Sequence, residues 1–252
     1  MAIGWVFKLG GDAYLLVGVP LVVVFQLGVR RQPLSSLWLR ESTGFRPGWL
    51  GLLVGVVWAA LPCAKLMTQA RSAAWPVILW YVACAVGALG AGFALCHFNR
   101  ASVRSLCYCL MTAGFVGCVT VLTAAFMLHG SLAVPWRRVA SGAVDFALYV
   151  PVCFVLEEVV FRGALDSHVY HAGESRPLPS AIYVSALWGL WHLPLLSLTG
   201  VGQFIALLLR VVAGHVVVGV FLGEGWRRSG NLGVPAIVHA FIDAVRNIFL
   251  AG

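Results

Sequence analysis

Long apolar stretches, separated by short polar segments, follow one another along the whole chain. A helix that crosses a bilayer needs about 20 mostly apolar residues. On that criterion the pattern predicts about eight transmembrane helices, near residues 12–29, 48–64, 75–96, 105–129, 141–161, 179–199, 202–222 and 232–250. We therefore expect an all-α polytopic membrane protein, with residues 1–252 forming a single transmembrane domain.

The composition agrees with this pattern. Hydrophobic residues make up 61% of the chain and charged residues 10%, whereas soluble domains have roughly 45–50% and about 25%. The net charge of +8 comes from basic residues that stand singly or in pairs at the ends of apolar stretches. Such charges set membrane topology, so we expect membrane lipid and no nucleic acid as a partner. The abundance of Ala, Gly, Val and Arg is typical of a high-GC bacterium, which favours the bacterial cytoplasmic (inner) membrane.

Two adjacent glutamates, Glu157 and Glu158, lie beside an apolar run in the fifth predicted helix. Charge inside a membrane is costly and by default indicates a functional site. Arg162 follows Glu158 at the i,i+4 spacing that favours a helical ion pair. Glu157 lies about 100° further round an α-helix, so it is left to face another group and is the candidate general base. The alternative is that both acids are solvated at a helix end.

Two histidine motifs occur in later predicted helices. Trp188 precedes His192 by four residues, and Pro194 is expected to bend or end that helix. His239 and Asp243 are also four residues apart, which places them on one helix face. Taken separately, His192 fits an interfacial histidine, and the His239–Asp243 pair fits an interhelical hydrogen bond. Helical phase leaves Glu157 to face His192 and His239, and together with Asp243 these residues form a set that suffices to activate water and stabilise an oxyanion.

In this order and spacing, the three motifs resemble those of the CPBP family. This family comprises the CAAX proteases and bacteriocin-processing, Abi-type intramembrane endopeptidases. The resemblance covers a motif-bearing catalytic core at 141–250, whereas the N-terminal helices at 1–130 match only in being apolar. It implies about eight helices around a polar, water-filled cavity.

The resemblance also implies roles for individual residues. Glu157 with His192 would activate water for attack on a peptide carbonyl, and His239 with Asp243 would contact the oxyanion. Glu158, Arg162 and Trp188 would support the site, and no metal would be needed.

The chain departs from the family pattern at two positions. Trp188 stands where phenylalanine is commoner, which we expect to alter packing more than chemistry. Asp243 stands where asparagine is usual, and an ionised aspartate has no donor for an oxyanion. Asp243 would therefore be protonated or orient His239. It would also suit a metal, so a zinc ion bound by Glu157, His192, His239 and Asp243 is the alternative to a metal-free site.

We therefore expect an intramembrane endopeptidase that hydrolyses a peptide bond in a small membrane-associated protein or peptide. Maturation of peptide pheromones or bacteriocins, self-immunity and processing of C-terminal anchors are the expected tasks. One alternative is a non-catalytic membrane scaffold or immunity protein. Another is a proton-coupled transporter, which the lack of an evident inverted repeat disfavours. The oligomeric state and the roles of Asp145, Arg210 and His215 are not predicted.

Overall fold

The structure is a computed structural model that describes residues 16–40, 42, 48–69, 74–171, 177–195 and 201–250. Over these residues the chain is helical, and its β-structure is a single isolated bridge between Leu39 and Asn231. The all-α class predicted from the sequence is confirmed. The helical segments are α1 Gly18–Val29, α2 Trp49–Gln69, α3 Trp75–Cys96, α4 Arg100–His129, α5 Trp136–Val169, α6 Pro177–Trp191, α7 Val201–Ser229 and α8 Gly233–Leu250.

Six of these helices, α2–α5, α7 and α8, are long and apolar enough to cross a membrane. Helix α1 is shorter, and α6 has 15 residues. The predicted spans 12–29 and 179–199 extend beyond α1 and α6 into residues 12–15 and 196–199, which lie outside the described part. The chain is therefore a polytopic membrane protein, but the count of eight spans is not confirmed.

Helices α2 and α3 pack closely through glycines. A Cβ atom added to Gly92 would lie 2.6 Å from the backbone N of Gly55. A Cβ atom added to Gly55 would lie 2.9 Å from the Cα of Leu89. Small residues that let backbones approach are typical of helix packing in membranes, where lipid provides little hydrophobic driving force between helices.

Helix α5 changes its hydrogen-bonding pattern in the middle. Pro151 lies inside the helix, and the backbone continues as a π-helix over Phe154–Asp166. Such segments, with i→i+5 hydrogen bonds, are rare and frequently occur at functional sites. This one contains both glutamates and Arg162, all buried. The α-helical phase assumed for Glu157 and Glu158 is therefore wrong for this segment, because a π-helix has more residues per turn.

A buried ion pair fixes the end of α5 to α7. The Asp166 carboxylate accepts hydrogen bonds from Arg227 Nη2 at 2.7 Å and from Arg227 Nε at 3.0 Å. Arg227 also donates to the carbonyl of Pro177 at 2.6 Å and to Ser180 Oγ at 3.0 Å, both in α6. One arginine thus joins three helices that contribute to the site.

Candidate active site

A cavity of about 580 Å³ lies between α4, α6, α7 and α8, and Glu157 of α5 lines it. Apolar side chains form most of the cavity wall, and a set of polar side chains forms the rest. This set includes each of the four candidate catalytic residues that the sequence indicated. The polar lining residues are Thr120, Glu157, Trp188, His192, Arg210, His215, His239, Asp243 and Arg246, and the apolar ones include Val116, Val121, Val211, Val217, Val218 and Ile242.

Glu157 contacts the second motif. Its Oε2 atom accepts a hydrogen bond of 2.6 Å from the indole Nε1 of Trp188. The same Oε2 atom lies 3.8 Å from His192 Nε2. That separation exceeds a direct hydrogen bond and is a distance that one bridging water spans. The expected proximity of Glu157 and His192 is therefore present.

The orientation of His192 is set by its own helix. Its Nδ1 lies 2.9 Å from the carbonyl of Trp188, and a carbonyl oxygen only accepts, so Nδ1 carries the hydrogen. Nε2 is then left to face Glu157. Helix α6 ends at Trp191, and Pro194 lies in the short 3₁₀-helix Leu193–Leu195 that follows, as its lack of a backbone donor predicts.

Glu158 is fully buried and has two partners. Its carboxylate lies 3.4 Å from Arg162 Nε, which is the ion pair expected from the spacing. Its Oε1 atom also lies 2.8 Å from His239 Nδ1. We expected His239 to face Glu157, but its direct hydrogen bond is to Glu158. The packing of α8 against the π-helical part of α5 decides this contact.

Asp243 is on the same face of α8 as His239, as predicted, but its closest partner is a different residue. Its Oδ1 atom lies 2.7 Å from Arg246 Nη1. Its Oδ2 atom lies 3.7 Å from His239 Nε2, too far for a hydrogen bond. In this structure the direct hydrogen bond of His239 is made to Glu158, through Nδ1, and the role expected for Asp243 stays a prediction.

His215 belongs to the cavity, although the sequence did not place it. Its ring centroid lies 4.4 Å from that of His192 and 4.4 Å from that of Trp188. Its Nδ1 lies 2.7 Å from the carbonyl of Val211, which fixes its orientation. The sequence did show an ionisable residue within the apolar run of α7, which suggests a functional position. It did not show that His215 faces the cavity, because that depends on the rotation of α7 about its axis. Arg210 lines the same cavity, whereas Asp145 does not.

The part of the chain that carries the three motifs is similar to a known protein family. Residues 139–245 match a family model described as type II CAAX prenyl endopeptidase Rce1-like. The motif-bearing region is similar to this family. The match begins in α5, ends in α8 and contains all three motifs, which confirms the resemblance to the CPBP family. No curated protein and no solved structure matches the chain significantly.

Within the part of the chain that the structure describes, the four zinc ligands that the sequence suggested do not form one cluster. Among the described residues, the potential ligand atoms that lie within 4.8 Å of one another belong to Cys153, His239 and Asp243. Glu157 and His192 are not part of that group, so the predicted four-ligand set is not supported. The Cys153 Sγ lies 3.8 Å from Asp243 Oδ2. Thiolate, imidazole and carboxylate are all zinc ligands, so this trio fits a metal by donor type.

Proposed function

We propose that this protein is an intramembrane endopeptidase that hydrolyses a peptide bond in a small membrane-associated protein or peptide. The observation that supports this most is the 3.8 Å separation of Glu157 Oε2 and His192 Nε2 in a cavity with mostly apolar walls. A carboxylate and an imidazole at that spacing are placed to share one water. The Rce1-like match over the same residues supports a protease of the CAAX type.

In the proposed reaction, Glu157 accepts a proton from the water as its oxygen attacks the substrate carbonyl carbon. His192 orients the water through Nε2. The carbonyl becomes a tetrahedral oxyanion, and the C–N bond then breaks as the proton passes from Glu157 to the leaving amine. When His239 is protonated, both of its nitrogens donate. Nδ1 then remains bound to Glu158, and Nε2 of this cavity-lining residue stabilises the oxyanion.

Glu158 and Arg162 act as supports in this scheme. Both are almost fully buried, so neither is placed to meet a substrate in the cavity. The Arg162 guanidinium lies 4.3 Å from the centre of the Trp188 ring and 3.4 Å from the Gly219 carbonyl oxygen. This arrangement connects α5, α6 and α7 behind the reacting groups.

The decisive experiment measures cleavage by the purified full-length protein in detergent. One probe is an internally quenched peptide with an S-farnesyl cysteine fourth from its C-terminus, and the other is the same peptide without the lipid. We expect single-site cleavage of at least one probe, identified by mass spectrometry. Glu157→Gln, His192→Ala and His239→Ala should each lower the rate by about 100-fold or more.

Asp145→Asn is the matched control, because it changes a carboxylate of the same helix that does not line the cavity. It should cleave like wild type. Equal cleavage by the three site variants and wild type would refute the protease proposal. Failure of folded wild type on both probes would refute both substrate classes and favour the non-catalytic alternative.

Metal dependence is tested in the same assay. We propose that the reaction needs no metal, so a strong chelator should leave the rate unchanged. Loss of activity on chelation, with recovery on adding zinc, would favour a metal held by Cys153, His239 and Asp243. A Cys153→Ala variant would then lose zinc by elemental analysis.

A further inference from the structure

We propose that the indole N–H of Trp188 positions the Glu157 carboxylate for water activation. This makes Trp188 a positioning residue, and the inference rests on the proposed function. It also replaces the expectation that tryptophan at this position alters packing more than chemistry.

The two carboxylate oxygens of Glu157 have different environments. Oε2 accepts the 2.6 Å hydrogen bond from Trp188 Nε1. Among the residues that the structure describes, none donates a hydrogen bond to Oε1. Glu157 nevertheless lines the cavity and is 8% exposed. The indole therefore fixes the rotation of the carboxylate through Oε2, the same oxygen that lies 3.8 Å from His192 Nε2 and shares the water in the proposed reaction.

The Trp188 ring is itself held in place, so it serves as a fixed donor. The Arg162 guanidinium carbon lies 4.3 Å from the ring centre, a cation–π contact. His215 and His239 approach the ring edge-to-face, with centroid distances of 4.4 Å and 5.0 Å. Catalysis requires that the groups around the reacting atoms are held in place by packing, and the Trp188 donor meets that condition.

The close approach of α6 and α7 maintains this arrangement. A Cβ atom added to Gly189 would lie 2.8 Å from the Cα of Val212, so a larger residue would push the helices apart. Gly189 directly follows Trp188 in α6. The short contact therefore keeps the indole against His215 of α7.

A phenylalanine at position 188 would fill much of the same space but has no N–H group. Glu157 Oε2 would then lose a donor in a buried place, where replacement by water is restricted. The carboxylate would be free to rotate away from the line between the water and His192. Tryptophan and phenylalanine at position 188 therefore differ in their effect on the Glu157 carboxylate, and not only in how they pack.

The contact is tested first without any substrate. The chain has ten tryptophans, so protein labelled with ¹⁵N-tryptophan in detergent should give ten indole N–H signals. Trp188→Phe identifies the Trp188 signal by its disappearance. Glu157→Gln should move that signal upfield and leave the others in place, because a neutral amide is a weaker acceptor than a carboxylate. Asp145→Asn should move nothing. An unmoved Trp188 signal in Glu157→Gln would overturn the proposal.

The positioning role is tested by kinetics on the cleaved peptide probe. Trp188→Phe should lower kcat by about 10- to 100-fold with KM unchanged, because only the orientation of the base is lost. Trp191→Phe, the same change three residues further along α6 where the ring contacts Phe161, should leave kcat unchanged. Unchanged kcat in Trp188→Phe would overturn the proposal.

A volume-matched variant separates the N–H group from the ring. Benzothienylalanine at position 188 keeps the bicyclic shape and replaces the N–H with sulfur. It should lose kcat as phenylalanine does, while its thermal unfolding stays close to wild type. Wild-type kcat in this variant would show that only packing matters. If wild type cleaves neither probe, the proposed function fails, and the NMR result alone decides the Trp188 contact.

Discussion

The buried ion pair between Asp166 and Arg227 provides a test of how α5, α6 and α7 are held together. Asp166 is 1% exposed and accepts three hydrogen bonds from Arg227, at 2.7, 3.0 and 3.2 Å. Asp166→Asn keeps the shape of the side chain and removes its charge. Arg227, whose side chain is 7% exposed, would then remain buried without its counter-charge.

The expected cost follows from this geometry. Removing one partner of a buried ion pair costs about 3–5 kcal/mol. Arg227 keeps its bonds to Pro177 and Ser180 and its contact with the Tyr170 ring at 4.2 Å, so we expect the lower end, about 3 kcal/mol. For a chain of this size each kcal/mol shifts Tm by about 2–4 °C, which gives a decrease of about 6–12 °C.

Thermal unfolding in detergent, followed by intrinsic tryptophan fluorescence, measures this shift. Asp145→Asn is the control, because it makes the same change in a half-buried aspartate of α5 and should shift Tm by about 2 °C or less. Adding Arg227→Gln to Asp166→Asn should recover part of the loss, since no charge is then left unpaired. If Asp166→Asn melts within about 2 °C of wild type, the reasoning about this ion pair is wrong.

Three further outcomes follow from the structure. Gly92→Ala should lower the free energy of unfolding by about 1–3 kcal/mol, because its Cβ would lie 2.6 Å from the Gly55 backbone. A denaturant titration measures this change. An unchanged midpoint would contradict the close packing of α2 and α3. His215→Phe should lower kcat more than it lowers Tm, because the ring stacks on His192; unchanged kcat in the peptide assay would exclude His215 from the site. Asp243→Asn should keep the cleavage rate within about tenfold of wild type, because at 3.7 Å from His239 Nε2 the carboxylate makes no hydrogen bond to that imidazole. A loss of about 100-fold would show that this acid has a direct role in the reaction.

The candidate site shows how far sequence patterns extend. The i,i+4 spacing correctly paired Glu158 with Arg162, because both lie in one helix and local geometry decides whether they meet. The same reasoning placed His239 beside Glu157, whereas it bonds Glu158. A contact between α5 and α8 depends on the rotation of each helix about its axis. The π-helical segment changes that rotation, and hydrophobic periodicity does not reveal it.

Trp188 illustrates the difference in a single residue. Its position four residues before His192 was readable from the sequence, and so was its aromatic character. The direction of its N–H group was not readable, because a side-chain donor finds its acceptor only when α6 packs against α5. The structure directs that donor to Glu157, which turns a packing residue into a proposed part of the chemistry.

By itself, the sequence determined that this is an all-α membrane protein, and it grouped Glu157, His192, His239 and Asp243, which line one cavity. These properties follow from hydrophobicity and local spacing, which are carried by neighbouring residues in the chain. Only the tertiary structure decided which atoms meet. It paired Asp166 with Arg227, brought His215 to the cavity and Cys153 to Asp243, and left Asp243 3.7 Å from His239. Those contacts join residues of different helices, or depend on a side-chain rotamer, and both are set by the packing of the whole bundle.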